Sequence, residues 1–149
     1  MVAFTALAAG IGGVASARAP EFYQALVKPS WAPPAWVFGP VWTLLYLLMA
    51  LAAWMVVRAS GWRAARLPLV LYGLQLLVNA LWTWLFFAWR SGSAAVLDIT
   101  VLWILVAAAL WTFWRVRPLA GALLVPYLAW VSFAGALSWA VWRLNPGVL

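Results

Sequence analysis

The chain is 149 residues long, 69% hydrophobic and 7% charged, with a net charge of +7 and neither cysteine nor histidine. A soluble domain carries about a quarter charged residues, so this composition leaves too few polar groups to face water and describes an integral membrane protein. Disulfides, thiol chemistry, histidine acid–base catalysis and histidine or cysteine ligation of metal or haem are excluded, and two acids, Glu21 and Asp98, are too few for a carboxylate metal cluster.

The first apolar run, residues 2–19, has no positive stretch before it, so it reads as a retained span rather than a cleaved signal. It is thick with small residues, among them Ala6, Ala9, Gly10, Gly12, Gly13, Ser16 and Ala17. The Ala9, Gly13, Ala17 spacing permits close helix contact, within the chain or between two copies. A long loop, residues 20–37, follows. Its Pro29, Pro33 and Pro34 restrict the backbone around Trp31 and Trp36.

Four further runs are each long enough to cross a bilayer core, which takes roughly 20 apolar residues: residues 38–57, 67–89, 94–114 and 119–142. Pro40 falls in the first turn of the second span, where a missing N–H does no harm. The connections, residues 58–66, 90–93 and 115–118, are short and force antiparallel neighbours. Continuous apolar runs rule out a β-barrel, whose strands alternate. The expected architecture is an all-α membrane protein, one domain over residues 1–149, with five transmembrane helices in a compact bundle. No internal repeat is evident.

The charges are thinly spread single cations that anchor to lipid headgroups; a nucleic-acid binder would concentrate them. Arg58, Arg63, Arg66, Arg115 and Arg117 share the N-terminal side, against Arg18, Lys28, Arg90 and Arg143 opposite. The balance places the N-terminus in the cytoplasm.

In the third span Gln75, Asn79, Trp82 and Phe86 follow i, i+4, i+7, i+11 spacing and share a face. Amides in hydrocarbon need partners. This face serves either as interhelical hydrogen bonding or as a ligand contact. Asp98, one turn into the fourth span, is a functional candidate, a partner for Arg90 or a helix-start residue. The fifth span aligns Tyr127, Trp130, Ala134 and Leu137, with Ser138 and Trp139 nearby. Trp54, Trp62, Trp89, Trp114 and Trp142 suit an interfacial belt; Trp42, Trp82, Trp130 and Trp139 lie near polar stripes instead. The residues describe an aromatic pocket for a flat apolar ligand, with Lys28 or Arg143 available to acidic groups on it.

Three stretches, KPSWAPPAWVFGPVWTLLYLLMALA, QLLVNALWTWLFF and PYLAWVSFAGALSWAVWRLN, occur in this order and resemble the signature segments of the tryptophan-rich sensory protein and translocator protein family, once called peripheral-type benzodiazepine receptors. The resemblance implies five helices, often a homodimer, and a cavity closed over by the long first loop. It implies binding of porphyrins and other tetrapyrroles, sterols in mitochondrial members, and isoquinoline carboxamides, with no resident cofactor. It also implies a role in tetrapyrrole regulation or stress response in a bacterial cell membrane. Carried over residue by residue, the ligand contacts are Tyr23, Trp31 and Pro33 in the loop, Trp42 and Tyr46, then Asn79, Trp82 and Phe86, then Trp130, Ala134 and Trp139. The expected function is a membrane receptor or carrier for tetrapyrroles. One alternative is a light- and oxygen-dependent porphyrin-degrading enzyme with Trp139 as its catalytic residue, and another is a transporter of porphyrin or sterol-like molecules. Phe22 stands where the family has tryptophan, and Trp139 where the sterol pattern needs tyrosine, which weighs against degradation at the loop and against sterol binding.

Overall fold

A computed structural model describes residues 2–15, 17 and 19–149. Ser16 and Arg18, counted above among the small residues and the cations, lie outside them. The described residues form six α-helices with a 3₁₀ turn and a π-helical turn, and no strand among them.

Helix α1 (Val2–Ala15) is 14 residues long, about 21 Å at ~1.5 Å per residue, and so shorter than the expected first span. The region expected as a loop opens instead with a second helix, α2 (Ala19–Ala25), which buries Phe22 and Tyr23. Glu21 in its first turn suits the positive end of the helix dipole. Its C-terminal carbonyls find a donor in Lys28, whose Nζ reaches Tyr23 O at 2.9 Å and Leu26 O at 3.1 Å. A 3₁₀ turn, Ala35–Val37, leads into α3 (Phe38–Ala64).

Helix α3 runs through most of the expected second connection. It is interrupted at Gly61, whose φ of 77° is the left-handed region open to glycine. Only Ala65 separates it from α4 (Arg66–Thr83). A π-helical turn, Trp84–Ala88, continues α4, and Arg90, at φ 51°, turns the chain into α5 (Gly92–Val116). Arg117 alone, in extended conformation, links α5 to α6 (Pro118–Leu144). Four helical stretches, those of α3, α4 with its π turn, α5 and α6, are long and apolar enough to cross a membrane, and α1 is a shorter apolar helix.

Helices α5 and α6 pack closely because glycine faces an aromatic side chain at each end. Gly92 sits against Trp142, and a Cβ on Gly121 would lie 2.7 Å from the Cα of Trp114. Pro126 lies on the exposed side of α6, and prolines are tolerated in membrane helices where neighbouring groups satisfy the freed carbonyl.

Polar side chains stitch the bundle internally. Tyr127 of α6 donates to Gln75 Oε1 of α4 at 2.7 Å, and Gln75 Nε2 reaches Met49 Sδ of α3 at 3.5 Å. Asn79 Nδ2 donates to the Tyr46 hydroxyl at 3.1 Å, and Thr5 of α1 shares a 2.7 Å hydrogen bond with Tyr72 of α4. Gln75 and Asn79 are 1% and 2% exposed. The amide stripe thus forms the expected interhelical hydrogen bonds. Asp98 is buried in the second turn of α5, and its Oδ2 has no hydrogen-bond partner. The position preceding α5 is Ser91, and Arg90 lies over the Phe22 ring at 4.6 Å, so Asp98 does not cap the helix.

Candidate functional site

A cavity of about 340 Å³ lies among α1, α2, α3 and α4, roofed by the turn that precedes α3. Helix α3 contributes Gly39, Trp42 and Tyr46, which stand at i, i+3 and i+7 on one helical face. Phe38, one residue before Gly39, joins them. Asn79, Trp82 and Thr83 follow i, i+3, i+4 on α4. Helix α1 supplies Ala9, Gly12 and Gly13, and α2 supplies Ala19, Pro20 and Tyr23; Ala35 and Phe87 complete the wall.

The aromatic walls are held by one another. Trp42 is tilted against Tyr46 with centroids 5.7 Å apart and meets Tyr127 edge-on at 6.2 Å. Trp82 stacks on Phe86 at 5.4 Å and 20°, within the 4.5–7 Å range typical of aromatic pairs. Tyr23 packs edge-on against Phe38 at 5.2 Å and donates its hydroxyl to Pro33 O at 2.7 Å.

Among the described residues, none that lines the cavity carries a formal charge. The Lys28 ammonium, a candidate partner for acidic ligand groups, is instead occupied by backbone carbonyls and lies over the Tyr23 ring at 5.0 Å. The polar groups in the wall are the Asn79 amide, the Tyr46 hydroxyl and Thr83, whose hydroxyl donates to Asn79 O at 3.3 Å. The indole N–H groups of Trp82 and Trp130 are buried without an acceptor. Among the described residues no cluster of metal-ligating side chains occurs. Such a site can stack and hydrogen-bond a flat ligand; it holds no nucleophile set beside a base.

Five of the expected contacts, Tyr23, Trp42, Tyr46, Asn79 and Trp82, line the cavity together. The others stand outside its wall. Pro33 fixes Tyr23 from behind, and Phe86 supports Trp82 from the core. Trp130 lies behind Phe38 at 5.8 Å, and Ala134 is buried in α6. Trp31, 48% exposed, rests on Phe133 at 5.7 Å. Trp139 is 55% exposed and is not part of the cavity. The sequence reading missed Ala9, Gly12 and Gly13 as wall residues, taking them only as packing positions, and it missed Thr83 and Phe87. Thr83 carried a signal: it stands four residues after Asn79, on the same face.

The sequence profile of the TspO/MBR family matches residues 1–143. Among curated proteins, the tryptophan-rich protein TspO of Chlorobaculum tepidum is 42% identical over 144 residues, 94% of this chain and 90% of its own length. Protein CrtK of Rhodobacter capsulatus is 43% identical over 130 residues, covering 85% of this chain and 79% of CrtK. The translocator protein of the pig, Sus scrofa, is 39% identical over 153 aligned positions, 98% of this chain and 90% of the pig protein. With its four long apolar helices, the chain is a multi-pass integral protein of a bacterial membrane.

Proposed function

Because this chain belongs to the TspO/MBR family, we propose that it is a membrane receptor or carrier that holds a flat, largely apolar ligand of the tetrapyrrole or isoquinoline carboxamide type in the cavity beneath α2. The observation that carries this reading is the wall itself: the rings of Tyr23, Phe38, Trp42, Tyr46 and Trp82 around a single amide, Asn79. The volume of about 340 Å³ stands at the lower end of the ~300–1,000 Å³ usual for small-molecule sites. A bicyclic carboxamide suits that space whole. A porphyrin inserts one edge and leaves its charged propionates outside the aromatic walls.

The finer architecture follows from the same reading. The apolar N-terminal segment that holds α1 supplies a fifth crossing with a cytoplasmic N-terminus, the chain forms one domain, and two copies pair as a homodimer. The receptor reading stands ahead of the degrading enzyme because Trp139, the residue that reading needs against the ligand, is outside the cavity. Titration of protoporphyrin IX and of an isoquinoline carboxamide into the reconstituted protein tests the proposal. Weaker binding to Trp42→Ala and Asn79→Ala supports it, and unchanged affinity in both variants moves the site elsewhere.

A further inference from the structure

The nine cations spread thinly along the sequence are not spread in the fold. Ala65 alone separates α3 from α4, and Arg117 alone separates α5 from α6, so each turn gathers its flanking arginines. Two contacts fix their levels. Gln75 of α4 meets Met49 of α3, and Arg66 and Arg58 lie equally far from that bond along the two antiparallel helices. Tyr72 of α4 packs on Phe113 of α5 at 6.1 Å, and Arg115 and Arg117 follow Phe113 outward. Arg58, Arg63, Arg66, Arg115 and Arg117 therefore emerge at one end of the bundle, all of them exposed.

No opposite charge accompanies them. The two acids of the chain are Glu21 and Asp98. Asp98 stands in the second turn of the helix that ends at Arg115, about 25 Å away at ~1.5 Å per residue. Glu21 precedes Phe22, whose ring meets Arg90 beyond the far end of α4. Among the described residues, none forms a hydrogen bond or an ion pair with any of the five guanidinium groups. Two of them lie on indoles instead, Arg58 over Trp54 at 5.8 Å and Arg115 over Trp111 at 6.0 Å, each pair four residues apart on one helix face. Exposed Trp62 and Trp114, with exposed Leu67 and Leu119, adjoin the same turns.

We propose that this end of the bundle selectively binds anionic phospholipid. Phosphodiester headgroups seat at the α3–α4 and α5–α6 turns on the guanidinium groups of Arg63, Arg66 and Arg117, which suit phosphate by their planar fork. Arg58 and Arg115 flank them on their indoles. The occupant is a lipid of net negative charge, such as phosphatidylglycerol, rather than soluble phosphate. Indoles settle at the headgroup level of a bilayer, and the leucines beside the arginines match acyl chains that free phosphate lacks. Uncompensated arginines at that level attract anionic headgroups. The inference is independent of what the cavity holds.

The test uses the whole protein reconstituted in phosphatidylcholine with trace spin-labelled phosphatidylglycerol or phosphatidylcholine, the motionally restricted lipid being read by electron paramagnetic resonance. The native protein prefers phosphatidylglycerol by about threefold or more, and the preference falls towards one in about 0.5 M sodium chloride as screening shortens the reach of the charges. Arg66→Gln with Arg117→Gln, one change at each turn and both at exposed positions, cuts the preference by about half or more. Arg90→Gln with Arg143→Gln removes the same charge from the other end and leaves most of it. Circular dichroism verifies that each variant is folded. A native protein without preference overturns the inference, and so does an equal loss in the two folded double variants. Inorganic phosphate that abolishes the preference where chloride of equal ionic strength does not would assign the surface to a soluble anion and overturn it as well.

Discussion

Asn145 grips the backbone of Val27 from both sides, its Oδ1 accepting the N–H at 2.9 Å and its Nδ2 donating to the carbonyl at 2.8 Å. A third bond, from Nδ2 to Val141 O at 2.7 Å, fixes the amide to the last turn of α6. One side chain therefore joins the segment that follows α2 to the far end of the chain, 118 residues away in sequence. An amide suits the position because it alone among the side chains presents an acceptor and a pair of donors on one plane.

Asn145→Ala removes three hydrogen bonds and leaves the Val27 backbone unpaired. At about 1 kcal/mol each the expected loss is roughly 2–3 kcal/mol, read as a lower thermal unfolding midpoint. Limited proteolysis within residues 26–37 accelerates in the same variant. Asn145→Asp keeps the acceptor but loses both donors, so it is also destabilised. Native-like proteolysis of Asn145→Ala contradicts the clamp.

The Tyr127 hydroxyl and Gln75 Oε1, 2.7 Å apart in the buried interior, are coupled. Tyr127→Phe strands the Gln75 acceptor at a cost of about 1–2 kcal/mol. Removing both partners, in Tyr127→Phe with Gln75→Leu, costs less than the sum of the single changes. A double-mutant cycle in detergent unfolding measures the difference, and strict additivity denies the coupling.

Gly121 and Gly10 make opposite predictions for the same substitution. A Cβ at Gly121 would stand 2.7 Å from the Trp114 backbone, so Gly121→Ala forces α5 and α6 apart at a cost of about 1–3 kcal/mol. At Gly10 a Cβ meets nothing within 4 Å, and Gly10→Ala is neutral or stabilising by up to ~1 kcal/mol through helix propensity. Equal effects at the two positions contradict the packing described for α5 and α6.

The long helices and the polar interior were legible in the sequence for physical reasons. An amide in hydrocarbon must find a partner, so Gln75 and Asn79 marked the inner face of α4, and Trp82 followed from their spacing. Trp139 shows where that logic ends. Its neighbour Ser138 is buried while Trp139 is exposed, yet both faces of a membrane helix meet apolar surroundings. Hydrophobic periodicity therefore cannot tell core from lipid as it does in water. Helix α2 was hidden for another reason: Pro20 in its first turn and Pro29 beyond its end read as loop, while the Lys28 side chain that closes its C-terminus acts through backbone carbonyls invisible in the sequence. The glycines of α1 read as packing positions because a small residue that admits a neighbour and one that leaves a gap look alike.

The central claim is that a flat ligand binds among Trp42, Tyr46, Asn79 and Trp82 and away from Trp139. The most direct measurement is equilibrium titration of protoporphyrin IX into the native protein, Trp42→Ala and Trp139→Ala in lipid, with folding of each verified by circular dichroism. Loss of one stacking wall predicts affinity about tenfold or more weaker for Trp42→Ala, equivalent to at least ~1.4 kcal/mol, and affinity within about twofold of native for Trp139→Ala. The reverse pattern, with Trp139→Ala crippled and Trp42→Ala unaffected, would contradict the account and place the ligand on the outer face of α6.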